Sequence, residues 1–470
     1  MSLLRQIAGN TAIQVAGKTA STVLGIVTIG LMTRHLGRAG YGQFTTAMTF
    51  LQFFGILADF GLTLTLTRLI SQAGADERRV TANVFTLRLA VAAAFFGAAP
   101  LVALLFPYSG AVRLAIAVGA FSFLAMTLSS LLVAVFQRHL TMRLATIAEV
   151  TGRTLLLLLI WWTAATGRGL LAMMAALVAA NLVQFLLNFA FARRFVRFGL
   201  AFDWPVWKDI LIQSWPIGIS IAFNLVYLKS DVIILSLFRP DAEVGLYGAA
   251  YKVLDVVTVV PTIFMGLVLP ILTARWTAGD RPDFARKLGR AFDFMCLLAV
   301  PLAVGAWVVG RDLMILVAGN DFAPSGDLLA ILMLAGSAVF WSALYGHAVV
   351  ALGRQRLMIW GYAADAVISL LLYFLLIPRF GAVAAAWVTV FSEVFIAIVT
   401  GIAVTRWSST RPGLAMLGKS LLAAGGMALV LWPLAAWPVA ARILIGATVY
   451  VIMMYALGGI DRQTLTKLKA

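Results

Sequence analysis

The stretch GLLAMMAALVAANLVQFLLNFA, residues 169–190, runs for 22 positions without an Asp, Glu, Lys or Arg. It is bracketed by Arg168 on one side and by Arg193 and Arg194 on the other. A helix rises about 1.5 Å per residue, so some 20 apolar residues cross a hydrocarbon core about 30 Å thick. The stretch therefore reads as a transmembrane helix. Thirteen more segments of this kind are found at 8–31, 41–67, 81–106, 112–136, 143–163, 209–237, 246–272, 288–310, 325–350, 357–377, 381–404, 415–434 and 439–459. The sequence thus predicts an all-α, polytopic membrane helix bundle of about fourteen spans. Ala, Gly and Thr inside the spans suit close helix packing. Pro216, Pro261 and Pro270 forecast kinks or breaks.

Composition agrees. Of 470 residues, 62% are hydrophobic and 12% charged, and mean hydropathy is +0.98. No water-soluble chain of this size could hide so much apolar surface. The start of the chain, with Arg5, Asn10, Gln14 and Lys18, reads as a rather polar first span and not as a secretory signal. The single cysteine, Cys296, allows no internal disulfide. His35, His139 and His347 are scattered, so no metal or cofactor is expected. No loop exceeds roughly 20 residues, which leaves no room for a soluble catalytic domain. No nucleophile stands beside a base, so the chain is not expected to be an enzyme.

The formal net charge of +17 has a topological source. With both termini in the cytoplasm, 23 Lys and Arg fall on the cytoplasmic side and 8 on the other. That bias sets orientation in helical membrane proteins and explains the basic character without nucleic acid. The basic face meets anionic lipid.

An internal repeat is visible where the second span opens with Tyr41-Gly42-Gln43-Phe44 and the eighth with Tyr247-Gly248-Ala249-Ala250. Six spans separate the two, which implies a parallel repeat about an axis normal to the membrane. Two pseudo-symmetric six-helix lobes follow, at 1–198 and 199–408, with two additional helices and a tail at 409–470.

Charged groups inside spans are costly and usually face an interior or a water path. Asn10, Gln14, Lys18, Thr22 and Gly25 share one face of the first span. Gln213, Ser220, Asn224, Tyr227 and Asp231 form a polar run along the seventh. Candidate substrate-binding groups are Gln14, Lys18, Arg88, Asn224, Tyr227, Lys229 and Lys252. Candidate charge partners or ion-coupling groups are Asp59, Asp231 and Asp255. Each cation has two readings, contact with an anionic substrate or an internal pair. Asp59 pairs with Arg88 or ties the second span to a neighbour. Lys252 pairs with Asp255 or with Asp231. Glu149 and Arg153 are spaced as an intrahelical pair. Asp293, Asp365 and Glu393 are further embedded acids that no constellation singles out.

Several stretches, taken together and in order, resemble the polysaccharide flippases of the multidrug/oligosaccharidyl-lipid/polysaccharide exporter superfamily. They are Leu36-Gly37-Arg38-Ala39-Gly40-Tyr41-Gly42-Gln43-Phe44 with Ala58-Asp59-Phe60-Gly61-Leu62, then Tyr227 to Leu235 with Val244 to Val253, and then Ala351-Leu352-Gly353-Arg354 with Ile377-Pro378-Arg379-Phe380-Gly381-Ala382. The resemblance implies two lobes around a cavity. It also implies movement of a polyprenyl-pyrophosphate-linked oligosaccharide across the bacterial inner membrane by alternating access, with H+ or Na+ coupling open. Lys18 resembles the family's basic residue in the first helix, whereas the family's usual late-helix asparagine is replaced here around Asp365, a departure from the family pattern. Implied partners are the lipid-linked oligosaccharide, membrane lipids, a polysaccharide polymerase and a chain-length regulator. Rival readings are a lipid II flippase, a multidrug or organic-cation antiporter, and a non-transporting scaffold of a polysaccharide assembly complex.

Overall fold

The computed structural model describes residues 3–70, 76–196 and 199–460. Within them lie fourteen α-helices: α1 (Leu3–Asp59), α2 (Leu62–Ile70), α3 (Glu77–Ala103), α4 (Gly110–Arg138), α5 (Met142–Ala165), α6 (Leu170–Ala192), α7 (Trp204–Phe238), α8 (Asp241–Val257), α9 (Val259–Thr277), α10 (Arg281–Ala318), α11 (Ser325–Ala351), α12 (Gln355–Ser408), α13 (Ala415–Leu431) and α14 (Val439–Ala456). Eleven stretches among the described residues are long and apolar enough to cross a membrane. Counting the two arms of α1 and of α12 separately and adding α7, the crossings coincide with the fourteen segments read from sequence.

The arms follow from geometry. A straight helix of 54 residues, the length of α12, would extend about 80 Å, far more than the roughly 30 Å hydrocarbon core. Gly381 is non-helical at φ 57°, ψ −137°, a conformation that glycine adopts without a Cβ clash. The chain reverses there. Tyr373 and Thr389, eight residues to either side, meet hydroxyl to hydroxyl at 3.3 Å, and Ser392 reaches Asp365 at 2.6 Å. In α1 the corresponding break is Gly37, at φ 64°, ψ −175°. The expected proline effect appears at α8–α9. Pro261 has no N–H to offer the carbonyl of Val257, and the helix is interrupted at Thr258.

The chain divides into two compact units, Met1–Gly245 and Leu246–Ala470. The division falls inside α8, where sequence reading places a lobe boundary at 198/199. The opening turn of α8 packs closely on the second arm of α1. A Cβ on Gly42 would lie 1.7 Å from the Asp241 carbonyl oxygen, and one on Gly245 would lie 2.0 Å from that of Arg38. Both positions require glycine for this approach. Gln43 adds a hydrogen bond from Nε2 to Asp241 Oδ2 at 2.9 Å. The reciprocity pairs residue 42 with 245 and 38 with 241.

In the first unit, α4 and α6 are joined by two identical rungs, Asn181 Nδ2 to Ser122 Oγ and Asn188 Nδ2 to Ser129 Oγ, each 2.6 Å. Both rungs keep the same sequence offset, so the two helices run parallel. Phe50, Phe96, Tyr108 and Phe123 anchor one core cluster there. The segment before α7 is strapped to α3. Ala201 N–H donates to Thr86 Oγ1 and Asp203 N–H to Asn83 Oδ1, both at 3.0 Å, and Arg79 Nε donates to Asp203 at 3.1 Å. In the second unit, α10, α11 and α12 enclose a core around Met295, Phe340 and Leu344. The terminal pair α13–α14 docks on α10. Arg442 of α14 is buried and binds Asp312 and the Val308 carbonyl, and Tyr450 donates to the Leu297 carbonyl at 2.9 Å.

Candidate functional site

Asp59 ends α1, where Phe60 at φ 41° and Gly61 at φ 77° interrupt the span before α2. A helix end frees backbone carbonyls and is a poor place for a carboxylate. Arg88 of α3 answers both problems. Its Nη1 lies 2.5 Å from Asp59 Oδ1 and donates to the Ala58 carbonyl at 3.0 Å. Thr63 donates to the same carboxylate oxygen at 2.7 Å. Arg88 is only 1% exposed, so the pair closes the break in the span. Of the two sequence readings for Asp59, the structure forms the pair with Arg88.

Lys18 is placed differently. Its Nζ lies 3.8 Å from Glu149 Oε1 of α5, and 54% of its side chain is uncovered. Glu149 therefore turns to α1. The expected intrahelical pair with Arg153 is not the one formed, because α5 packs against α1 and brings Lys18 alongside. Gln14 is half-buried on the same helix. Lys252 pairs with Asp255 at 3.3 Å, and the two side chains are 46% and 38% uncovered. This is the local alternative of the two read from sequence. Lys229 is half-buried. Asp231 is fully buried and accepts the Val232 N–H at 2.7 Å. The side chains of Asn10, Ser220, Asn224 and Tyr227 lie outside the described residues.

A second cluster was not singled out by sequence. The reversal at Gly381 brings Asp365 and Glu393, 0% and 4% exposed, to one place in the second unit. Asp365 accepts from Ser369 at 3.2 Å and from Ser392 at 2.6 Å. Glu393 accepts from Ser342 of α11 at 3.1 Å. Neither carboxylate forms an ion pair among the described residues. A faint signal existed in the i,i+4 spacing of Asp365 and Ser369 and in the adjacency of Ser392 and Glu393. The register of the hairpin, which joins them, is not written in either arm. Among the described residues no group of three or more His, Cys, Asp or Glu could hold a metal ion.

Residues 7–275 match the model of a family described as polysaccharide biosynthesis protein. The chain belongs to that family. Two curated relatives are the succinoglycan biosynthesis transport protein ExoT of Rhizobium meliloti and the probable flippase AglR of Haloferax volcanii. The first is 25% identical over 344 residues, 70% of this chain and 66% of that protein. The second is 24% identical over 255 residues, 52% of this chain and 53% of that protein. The chain thus spans about half to two thirds of the length of these relatives. Among solved structures, the lipid II flippase MurJ in an inward closed conformation superposes with a TM-score of 0.78 at 13% identity, covering 94% of this chain and 98% of that one. An inward-facing multidrug resistance transporter of the MATE family superposes with a TM-score of 0.71 at 13% identity, covering 83% and 94%. These likenesses establish the fold. Together with the family match they make this chain a multi-pass membrane helix bundle of the polysaccharide biosynthesis protein family.

Proposed function

We propose that this protein moves a polyprenyl-pyrophosphate-linked oligosaccharide from the cytoplasmic to the outer leaflet of a bacterial inner membrane. The observation that carries the reading is the state of the cations within the spans. Arg88 is buried and matched, whereas Lys18 and Lys252 remain about half uncovered, each with one acid at more than 3 Å. A charged lysine within a span is costly and is met by water, by the membrane surface to which it snorkels or by an anionic ligand, and the last of these is the role proposed for both. The names and family of the relatives support a glycan cargo. In this mechanism Lys18, with Gln14, meets the pyrophosphate, and Lys252 and Lys229 meet phosphate or acidic sugar. The polyprenyl chain stays in lipid, and the two lobes rock in alternation. Among the described residues the buried Asp365–Glu393 cluster is met by the hydroxyls of Ser342, Ser369 and Ser392 and by no ion pair, which leaves charge for a proton or Na+ to offset. It is the proposed coupling element, in place of Asp59, which Arg88 occupies. Both termini lie in the cytoplasm, and the polymerase and chain-length regulator act downstream.

The test is leaflet-resolved transport of a defined lipid-linked oligosaccharide in proteoliposomes. Wild type should translocate it, and Lys18→Ala should lose most of the rate at unchanged abundance. Full activity of Lys18→Ala removes that residue from the site. The lipid II reading draws support from the architecture shared with MurJ. Faster transport of lipid II than of any oligosaccharide carrier would favour it.

A further inference from the structure

In the second unit a shallow, open apolar slot of about 440 Å³ is lined by residues of α10, α11, α12 and α13. Its lining includes Val394, Ile398 and Thr405 of α12, Trp341 and Tyr345 of α11 and Leu417 of α13, and the Tyr345 ring packs on α12 beside Gly401. Four features specify the occupant. The lining is hydrocarbon-like, and the slot belongs to spans that lie in the bilayer, so its natural filling is a chain and not water. From Val394 to Thr405 the helix rises about 16 Å, close to half of the roughly 30 Å hydrocarbon core, so the slot is about one leaflet long. Its volume falls at the lower end of the 300–1,000 Å³ usual for ligand pockets, about the scale of a single ligand. Finally, one helical turn beyond Ile402, on the same face of α12, stands the exposed Arg406, with Arg411 exposed five residues further on.

We propose that this slot is a lipid site, holding one acyl chain of an anionic phospholipid whose phosphate is met by Arg406. Ordinary lipid-facing helix surface is convex and exchanges its neighbours freely. Here residues of α10, α11, α12 and α13 all line the slot, so a chain lying along it touches several helices at once. The length of about one leaflet matches a phospholipid acyl chain, whereas a long polyprenyl chain would extend well beyond the lining residues. The guanidinium selects a net negative head group over a zwitterionic one. The site does not depend on the transported cargo, since it requires only that these helices span the membrane.

The experiment is native mass spectrometry of the full chain, taken from nanodiscs of phosphatidylglycerol, phosphatidylcholine, or phosphatidylcholine doped with a long polyprenyl phosphate. Wild type should retain one phosphatidylglycerol and favour it over phosphatidylcholine by about fivefold, the factor that one interfacial arginine supplies. Ile398→Trp fills the slot and should lower retention by about tenfold. Arg406→Gln should keep a lipid but lose the preference. Ile402→Trp, further along the same ridge, repeats the filling if Ile398→Trp does not fold. Equal retention by wild type and the filled variants overturns the proposal. So does an absence of head-group preference in wild type, or displacement of phospholipid by the polyprenyl phosphate.

Discussion

Replacing Asp59 with Asn isolates the energetics of the break between α1 and α2. The substitution leaves the Arg88 guanidinium, 2% accessible, without its counter-charge while keeping the shape of the site. Removing one partner of a buried pair costs about 3–5 kcal/mol. Asp59 keeps 23% of its side chain accessible, and the Ala58 carbonyl still accepts from Arg88, so the lower end, about 3 kcal/mol, is expected. A unit of this size loses about 2–4 °C of Tm per kcal/mol, which predicts a fall of about 6–12 °C in detergent. The double variant Asp59→Asn/Arg88→Met carries no stranded charge and should recover most of that loss. The assay is thermal unfolding of wild type, both single variants and the double variant as a cycle, with transport measured on the same preparations. Additive single losses would refute the argument that the two groups neutralise each other. A double variant that is stable and transports at the wild-type rate would further show that Arg88 serves the helix break alone.

Other perturbations have equally definite outcomes. Gly42→Ala places a methyl group 1.7 Å from a backbone oxygen, where only backbone movement relieves it; a loss of at least about 1–3 kcal/mol is expected, and an unchanged melting curve would contradict the packing. Ser392→Ala removes the 2.6 Å donor to Asp365 and should cost about 1–3 kcal/mol, read as a lower denaturation midpoint. Glu393→Gln should abolish any dependence of transport on a proton or sodium gradient, and a retained dependence excludes the cluster from coupling. Outside the spans, the hydrogen bond and charge of Arg79 hold the Asp203 carboxyl below its usual range. A depressed carboxylate stabilises above its unfolded pKa of about 3.9 and loses that contribution as pH falls through the lower folded value. Amide protection of residues 199–203, corrected for intrinsic exchange, should therefore drop below about pH 4, and Asp203→Asn should show the same drop at neutral pH.

The membrane bundle was legible because crossing hydrocarbon requires long uncharged runs, and these stand out in any chain. Local charge pairs were partly legible. Lys252–Asp255 follows from helical spacing, and Asp59–Arg88 from two opposite charges in neighbouring spans. Glu149 was misread because spacing within α5 says nothing about the arrival of Lys18 from α1. The close approach of the glycines at 42 and 245 was likewise not written in either helix alone. Asp365 and Glu393 stayed invisible as a pair because 28 residues and a reversal separate them.

The reversal at Gly381 bears on how the protein is made. Its two arms are joined with almost no residues to spare, so they can associate as a helical hairpin as soon as the second arm is made. In that hairpin Asp365 is supplied with hydroxyl donors by Ser369 and Ser392, whereas Glu393 takes its donor from Ser342 of α11. Partition of the hairpin into lipid thus becomes a single event. A polar spacer inserted at Gly381 should strand each acid on a lone helix, and misinsertion should follow even where every span keeps its apolar length.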